Sequence, residues 1–316
     1  MSKIVAAERY SPAPDLQAIT CFFNPGRYRT KRENYERFMA PLRAGGVPVL
    51  TVECAFGTDE FELPAGPEVL RVRGKSVMFQ KERILNLALP HLLPSCTKVA
   101  WLDADILFER ADWALAASKA LDESVVIQPF EHGYRLPRGT FDYNGCGRRW
   151  NSFAAVYGRS PGLFTTGRYE AHGHVGFAWA ARRSLLDKVG LRDEDPSGHS
   201  DHLMAHAMLG DWNTNCFRRI VGLASPYAVS TRRWAREFHR EVRGRLGYVS
   251  GSLLHLWHGR IGDRRYYNLA VRLRALGFDP ARHLRLDESG LWAWTEEAVE
   301  MNEEYTHYFA TRREDG

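Results

Sequence analysis

The stretch Lys98-Val99-Ala100-Trp101-Leu102-Asp103-Ala104-Asp105-Ile106-Leu107-Phe108 constrains the fold of this chain most. Val99, Trp101, Leu102 and Ile106 to Phe108 give the near-continuous apolar run of a strand covered on both faces. Asp103 and Asp105 interrupt it. Carboxylates in a buried strand are costly unless a cation sits beside them. Side chains at i and i+2 point the same way, so both acids can reach one ion. Hard oxygen ligands at a strand end suit Mg²⁺ or Mn²⁺, and those ions suit a diphosphate. A solvated Asp-rich turn closing a strand would read the same way.

The rest of the chain alternates strand and helix. Gln17 to Phe23 reads as a first buried strand, closed by Asn24-Pro25-Gly26. A basic helix from about Thr30 to Ala44 follows, with Tyr35, Phe38, Met39 and Leu42 on one face and Gly45-Gly46 as its stop. Val47 to Val52 and Val69 to Val72 are the next strands. Met78 to Leu89 is a helix, then comes the strand with the acidic pair. Ala111 to Leu121 is helical and Ser124 to Pro129 a strand. This order predicts an α/β fold with a mostly parallel sheet flanked by helices. Ligands of such sheets bind beyond the carboxyl ends of the strands, where the acidic pair falls.

From Glu131 to Gly176 regular periodicity fades, and Gly, Arg and aromatic residues dominate, Gly167 and Tyr169 among them. The expectation is a substrate-facing loop region acting as a lid. Val175 to Ala180 reads as a short strand. Ala181 to Val189, His202 to Leu209 and the basic stretch Thr231 to Leu246 read as helices. Ser252 to Trp257 reads as a strand with His258 at its end. Three parts are expected: a loose leader over 1–16, in which Pro12 and Pro14 bar a helix; one domain over 17–260, with halves of about 17–130 and 131–260; and a mainly helical C-terminal extension over 261–316.

The 316 residues supply enough apolar material for one sizeable core. No apolar run approaches the roughly 18–20 residues of a membrane span, and the N-terminus is too polar for a signal peptide. Five scattered cysteines without Cys-x-x-Cys spacing argue against a disulfide framework, so a reduced, cytoplasmic protein is expected. The charge is uneven. From Arg218 to Arg285 there are 15 Arg, no Lys and four acids, a balance of +11 against +5 for the whole chain. Such asymmetry points to an anionic partner.

Three blocks, in order, resemble the GT-A glycosyltransferases, which use nucleotide sugars on a Rossmann-like sheet. The first is Gln80-Lys81-Glu82-Arg83-Ile84-Leu85-Asn86, followed by Asp103-Ala104-Asp105. The second is Gly173-His174-Val175-Gly176-Phe177-Ala178-Trp179 with Arg182-Arg183, then Ser197-Gly198-His199-Ser200-Asp201. The third is His255-Leu256-Trp257-His258-Gly259. The order is similar to that in family 2-type enzymes and β-galactosyltransferases, over roughly residues 17 to 260.

The resemblance implies a hexosyltransferase-like enzyme. Its donor would be a nucleotide-diphosphate sugar, UDP-linked by preference. Its metal would be Mn²⁺ or Mg²⁺, held by Asp105 directly, with Asp103 on the metal through water or on the ribose. His258 would complete the metal shell, since imidazole suits Mn²⁺ better than Mg²⁺. Lys81, Arg83 and Asn86 would contact the donor. Asp201 would be the catalytic base, with inversion at the sugar because no nucleophile is evident. The neighbours of Asp201 are His199, Ser200 and His202, where the galactosyltransferases carry acids. An N-cap for the following helix would also use Asp201.

His174 and Trp179 are expected on the acceptor side, with His172 beside them. Arg232, Arg236 and Arg240 share one helical face with Arg243. They suit an anionic acceptor: a phosphorylated glycan, a lipid-linked precursor or DNA bearing a hydroxylated base. A solvated helix accounts for the stripe equally well. His199, His202 and His206, at spacings of three and four, could share a helix face as metal ligands do. No neighbouring Glu or Cys completes a zinc motif, which argues against zinc there. Two other functions keep some support. A nucleotidyltransferase shares the sheet and the Asp pair, but needs a Gly-rich signature that Ile19 to Gly26 lacks. A nucleic-acid-binding protein would use the Arg-rich segment, but no recognition signature accompanies it.

Overall fold

The computed structural model describes residues 3–162, 171–260, 262 and 266–316. Its strands are β1 (Leu16–Phe23), β2 (Val49–Phe56), β3 (Val69–Gly74), β4 (Lys98–Leu102), β5 (Ile106–Phe108), β6 (Val126–Gln128), β7 (His132–Arg135), β8 (Arg148–Asn151), β9 (Ala178–Arg182), β10 (Leu246–Tyr248), β11 (Ser252–His255), β12 (Leu284–Leu286) and β13 (Trp292–Trp294). Its helices are α1 (Arg29–Gly45), α2 (Lys81–Ala88), α3 (Trp113–Glu123), α4 (Phe153–Arg159), α5 (Arg183–Val189), α6 (Ser200–Met208), α7 (Asn215–Val221), α8 (Pro226–Val242), α9 (Tyr266–Ala275), α10 (Pro280–His283) and α11 (Val299–Thr311).

The main sheet has the order β10-β6-β9-β4-β1-β2-β3. β4, β1, β2 and β3 run parallel, as do β6 and β10, while β9 lies antiparallel between β4 and β6. Parallel strands need covered faces, and the sequence supplies the cover. Ile19, Val52, Val99, Trp101 and Trp179 pack on one side against Ile84, Leu85 and Phe238. Phe22, Leu102 and Ile127 pack on the other against Tyr35, Phe38 and Trp113. A second sheet, β5-β11-β7-β8, joins the end of the first.

The apolar run at Lys98 to Phe108 is thus two strands in two sheets, and Asp103 to Asp105 are the turn between them. The stretch from Glu131 is more regular than its composition implies, since it holds β7, β8 and α4. The lid expectation for residues 163–170, with Gly167 and Tyr169, lies outside the described residues. The described part of the leader, residues 3–16, is docked rather than loose. Tyr10 is buried, its ring edge-on to Phe108 and Trp113, and its hydroxyl accepts from the Phe108 N–H at 2.8 Å. Leu246 leaves the expected long helix for β10. The C-terminal part is helical except for the β12–β13 hairpin, and packs through Phe278, Trp294 and Tyr305 onto Phe217 and Tyr227. Among the described residues no helix is long and apolar enough to cross a membrane.

Candidate active site

The ends of β1 and β4 open on a cavity of about 810 Å³. Main-chain bonds pin the acidic turn on both sides. The Asp103 N–H donates to the Phe177 carbonyl at 2.8 Å, and the Phe177 N–H donates to Asp103 Oδ2 at 3.1 Å. The Leu256 N–H donates to the Asp105 carbonyl at 2.8 Å. Asp103 is therefore fastened to the chain entering β9, and Asp105 to the chain leaving β11.

That difference separates the two carboxylates. Asp105 Oδ2 lies 3.1 Å from His258 Nε2, and its Oδ1 lies 3.7 Å from His255 Nε2. One ligand atom from each of Asp105, His255 and His258 lies within 4.8 Å of the others. One carboxylate and two imidazoles suit a divalent ion of the Mn²⁺ kind. On its far side, His258 Nδ1 is 3.4 Å from Glu314. Burial would raise the Glu314 carboxyl, but Lys31, His258 and Arg312 outweigh it and hold it below the usual carboxylate range. Asp103 Oδ1 instead accepts from Lys81 Nζ at 3.2 Å. The two acids do not converge by strand alternation, because they stand in a turn.

Lys81 opens α2 and serves three acids. Its Nζ donates to Asp201 Oδ2 at 2.7 Å and stands 3.7 Å from Glu82. Burial alone would lower the Lys81 pKa; Asp103, Asp201 and Glu82 raise it well above its usual value. Burial raises the Asp201 pKa, Lys81 opposes this and Asp103 adds to it. Burial pushes Glu82 up to about 8. Asp201 is not the cap of α6. It stands in the first turn, and His199 holds the capping position. The turn before the helix is shaped by Asp195, which accepts from the Ser197 and His199 N–H groups at 2.9 and 3.1 Å.

His174 lines the cavity, stacked on Phe177 at 3.8 Å between centroids. Burial and Arg135 push its pKa down to about 3, and the neutral Nδ1 accepts from the Gly176 N–H at 3.1 Å. Arg135 and Arg148 flank the Trp150 ring at 4.9 and 4.7 Å.

Several expected site residues are elsewhere. Trp179 is a core side chain, 1% exposed, donating from Nε1 to the Val175 carbonyl at 2.7 Å. Arg83 and Asn86 face away from the cavity. Both hold Asp193, at 3.2 and 2.9 Å, so their work is to clamp the 190s loop. Arg232, Arg236 and Arg240 do not line the cavity either. α8 buries Ala235, Phe238 and Val242 beneath them, and Arg232 donates to the Leu223 carbonyl at 2.7 Å.

His255, Arg135, Trp150, Arg312 and Glu314 are site residues that the sequence reading did not assign. His255 stood inside a quoted block. The other four carry no local signal, since they arrive from the second sheet and the tail.

No protein-family model matches the chain, and no curated protein matches it in sequence. Among solved structures it is similar to a Drosophila β1,4-galactosyltransferase 7 mutant in complex with manganese, UDP-Gal and xylobiose. Identity there is 12%, coverage 60% of this chain and 59% of that one, and the TM-score 0.33. It is also similar to glucosyl-3-phosphoglycerate synthase from Mycobacterium tuberculosis in complex with Mn²⁺, UDP-glucose and phosphoglyceric acid. Here identity is 13%, coverage 89% and 86%, and the TM-score 0.42.

Proposed function

We propose that the chain is a metal-dependent glycosyltransferase of the GT-A kind, moving a sugar from a nucleotide-diphosphate sugar, UDP-linked by preference, to an acceptor hydroxyl with inversion. One observation carries the reading. Asp105, His255 and His258 converge beside Asp103 and Lys81 at the end of the parallel strands, in a cavity of about 810 Å³. That volume lies in the range of about 300–1,000 Å³ used for small-molecule sites. Asp105, His255 and His258 would hold Mn²⁺ or Mg²⁺, with Glu314 orienting His258. The bound ion supplies positive charge to the diphosphate leaving group.

The remaining roles fall to side chains on the cavity wall. Lys81 orients Asp103 toward the donor and holds Asp201 until an acceptor arrives. Asp201 then takes the proton of the attacking hydroxyl; burial has already raised its affinity for one. Trp150 and the His174–Phe177 stack line the wall against which a sugar ring would rest. Arg135 and Arg148 give an anionic acceptor its counter-charge without calling on the α8 stripe. None of the five cysteines is in a disulfide, which supports a reducing compartment, the cytoplasm in this reading.

A panel of nucleotide sugars in thermal-shift assays, with and without Mn²⁺, tests the proposal. A UDP-sugar is expected to raise the melting temperature only with Mn²⁺, and slow UDP release should follow. Asp105→Asn should abolish Mn²⁺-dependent UDP binding in calorimetry with the fold intact. Unchanged affinity in that variant would overturn the metal assignment.

A further inference from the structure

A second group of metal-ligating side chains shares no residue with the Asp105 cluster. His172, His202, His206 and Cys216 each place one ligand atom within 4.8 Å of the others, and all four are buried. They come from three separate segments. His202 and His206 stand one turn apart on α6, their rings stacked at 5.0 Å and 14°. His172 comes from the loop before β9, its ring nearly perpendicular to both, at 5.0 and 5.2 Å. Cys216 is in the first turn of α7.

Two of the six ligand separations have the lengths of a tetrahedral shell, and the others fall within 4.8 Å. Zinc bonds of about 2.0–2.1 Å to nitrogen and about 2.3 Å to sulfur imply ligand separations of roughly 3.3 Å between nitrogens and roughly 3.6 Å from nitrogen to sulfur. His202 Nε2 and His206 Nε2 are 3.2 Å apart, and Cys216 Sγ lies 3.7 Å from His172 Nε2. Outer partners of the right kind are present. His172 Nδ1 is 2.9 Å from the Gly173 carbonyl, so it carries the proton and Nε2 keeps its lone pair for the cluster. A carboxylate, Asp211, stands 3.7 Å behind His206 Nδ1. Ligating histidines are set by such partners. Burial and the neighbouring histidines hold His202 well below its usual pKa, in the neutral form a metal needs.

We infer that His172, His202, His206 and Cys216 form a zinc site. Four protein ligands leave no open position, so its role is structural. It ties the loop bearing His174, the helix bearing Asp201 and the start of α7 into one unit. The thiolate selects zinc, whereas the carboxylate-bearing Asp105 cluster suits Mn²⁺. The inference does not depend on the proposed activity.

Metal analysis of the full chain by plasma mass spectrometry, after dialysis against a mild chelator, tests it. One zinc ion per chain is expected in the parent and in Asp105→Asn, with loss in Cys216→Ser and His206→Gln. Cobalt substitution of the parent should give a thiolate charge-transfer band that Cys216→Ser lacks. If those variants fail to fold, zinc-edge X-ray absorption on the parent decides, with one sulfur at about 2.3 Å and nitrogens at about 2.0 Å expected. A parent that takes up no zinc, zinc without a sulfur neighbour, or zinc lost in Asp105→Asn but retained in Cys216→Ser would each overturn the assignment.

Discussion

Lys81 is the only cation within 4.0 Å of Asp103, Asp201 and Glu82 among the described residues. One positive charge among three partly or wholly buried acids leaves excess negative charge, and Glu82 bears the cost. Its pKa rises from the usual 4.5 to about 8, mainly through burial. Between those values the folded state binds more protons at Glu82 than the unfolded state does, so stability falls as pH rises. Glu82→Gln removes that dependence. Melting curves should show the variant gaining on the parent from about pH 5 to about pH 8; a constant difference would mean that Glu82 stays ionised throughout. Asp201→Asn should keep Mn²⁺-dependent UDP affinity and cut turnover by roughly 10²–10⁴, the usual worth of a general base. Single-turnover assays separate the two effects. A turnover loss under tenfold would hand proton transfer to another group.

At the scale of elements, the loop from His172 to Phe177 links both candidate metal sites and the cavity. Gly173 makes that path possible, with φ at +80°. A Cβ there would stand 2.8 Å from the Ser152 carbonyl oxygen and 2.9 Å from that of Asn151. The same strand end holds the loop, since the His174 N–H donates to the Asn151 carbonyl at 2.8 Å. Gly173→Ala should lose about 1–3 kcal/mol in denaturant unfolding and should lower zinc content, because His172 must move. A variant as stable as the parent would show that the loop shifts without cost. The elements around this loop also mark what the sequence made legible. β1, β2 and β4 are buried apolar runs, and α1 and α8 have clear helical faces, so all five were readable. β7 and β8 have four residues each and a partly exposed, Gly- and Arg-bearing sequence, so neither alternation nor apolarity announced them. The site divides in the same way. Asp105 and His258 were readable from blocks of neighbouring residues. Helical spacing singled out His202 and His206, two of the four proposed zinc ligands, but grouped them with His199 and argued against zinc. The other two, His172 and Cys216, are brought in by packing that no local pattern encodes.

At the scale of the whole molecule, residues 312–315 run back over the first helix and the candidate metal centre. Asp315 accepts from the Thr30 and Arg29 N–H groups at 2.8 and 3.2 Å, placing negative charge at the start of α1, where the helix dipole favours it. The Tyr28 hydroxyl donates to the Arg312 carbonyl. Between these anchors Glu314, 2% exposed, pairs with Arg312 at 2.5 Å and faces His258 Nδ1 at 3.4 Å. A carboxylate behind a ligating imidazole fixes the ring and raises its basicity, and losing such a partner typically costs 10–100-fold in metal affinity. Glu314→Gln keeps the shape and removes the charge, so Mn²⁺-dependent UDP binding should weaken by about 10–100-fold while UDP binding without metal stays unchanged. Asp315→Asn is the control. It should lose about 0.5–1 kcal/mol of stability through the α1 terminus and leave metal affinity alone. Deleting residues 312–316 should combine both effects, because the anchors and the carboxylate leave together. Calorimetry on the three proteins decides between a tail that only stabilises the fold and one that completes the site. Equal weakening in Asp315→Asn and Glu314→Gln would point to the first. Weakening confined to Glu314→Gln and the deletion would point to the second, with residues 312–316 acting as part of the candidate metal site.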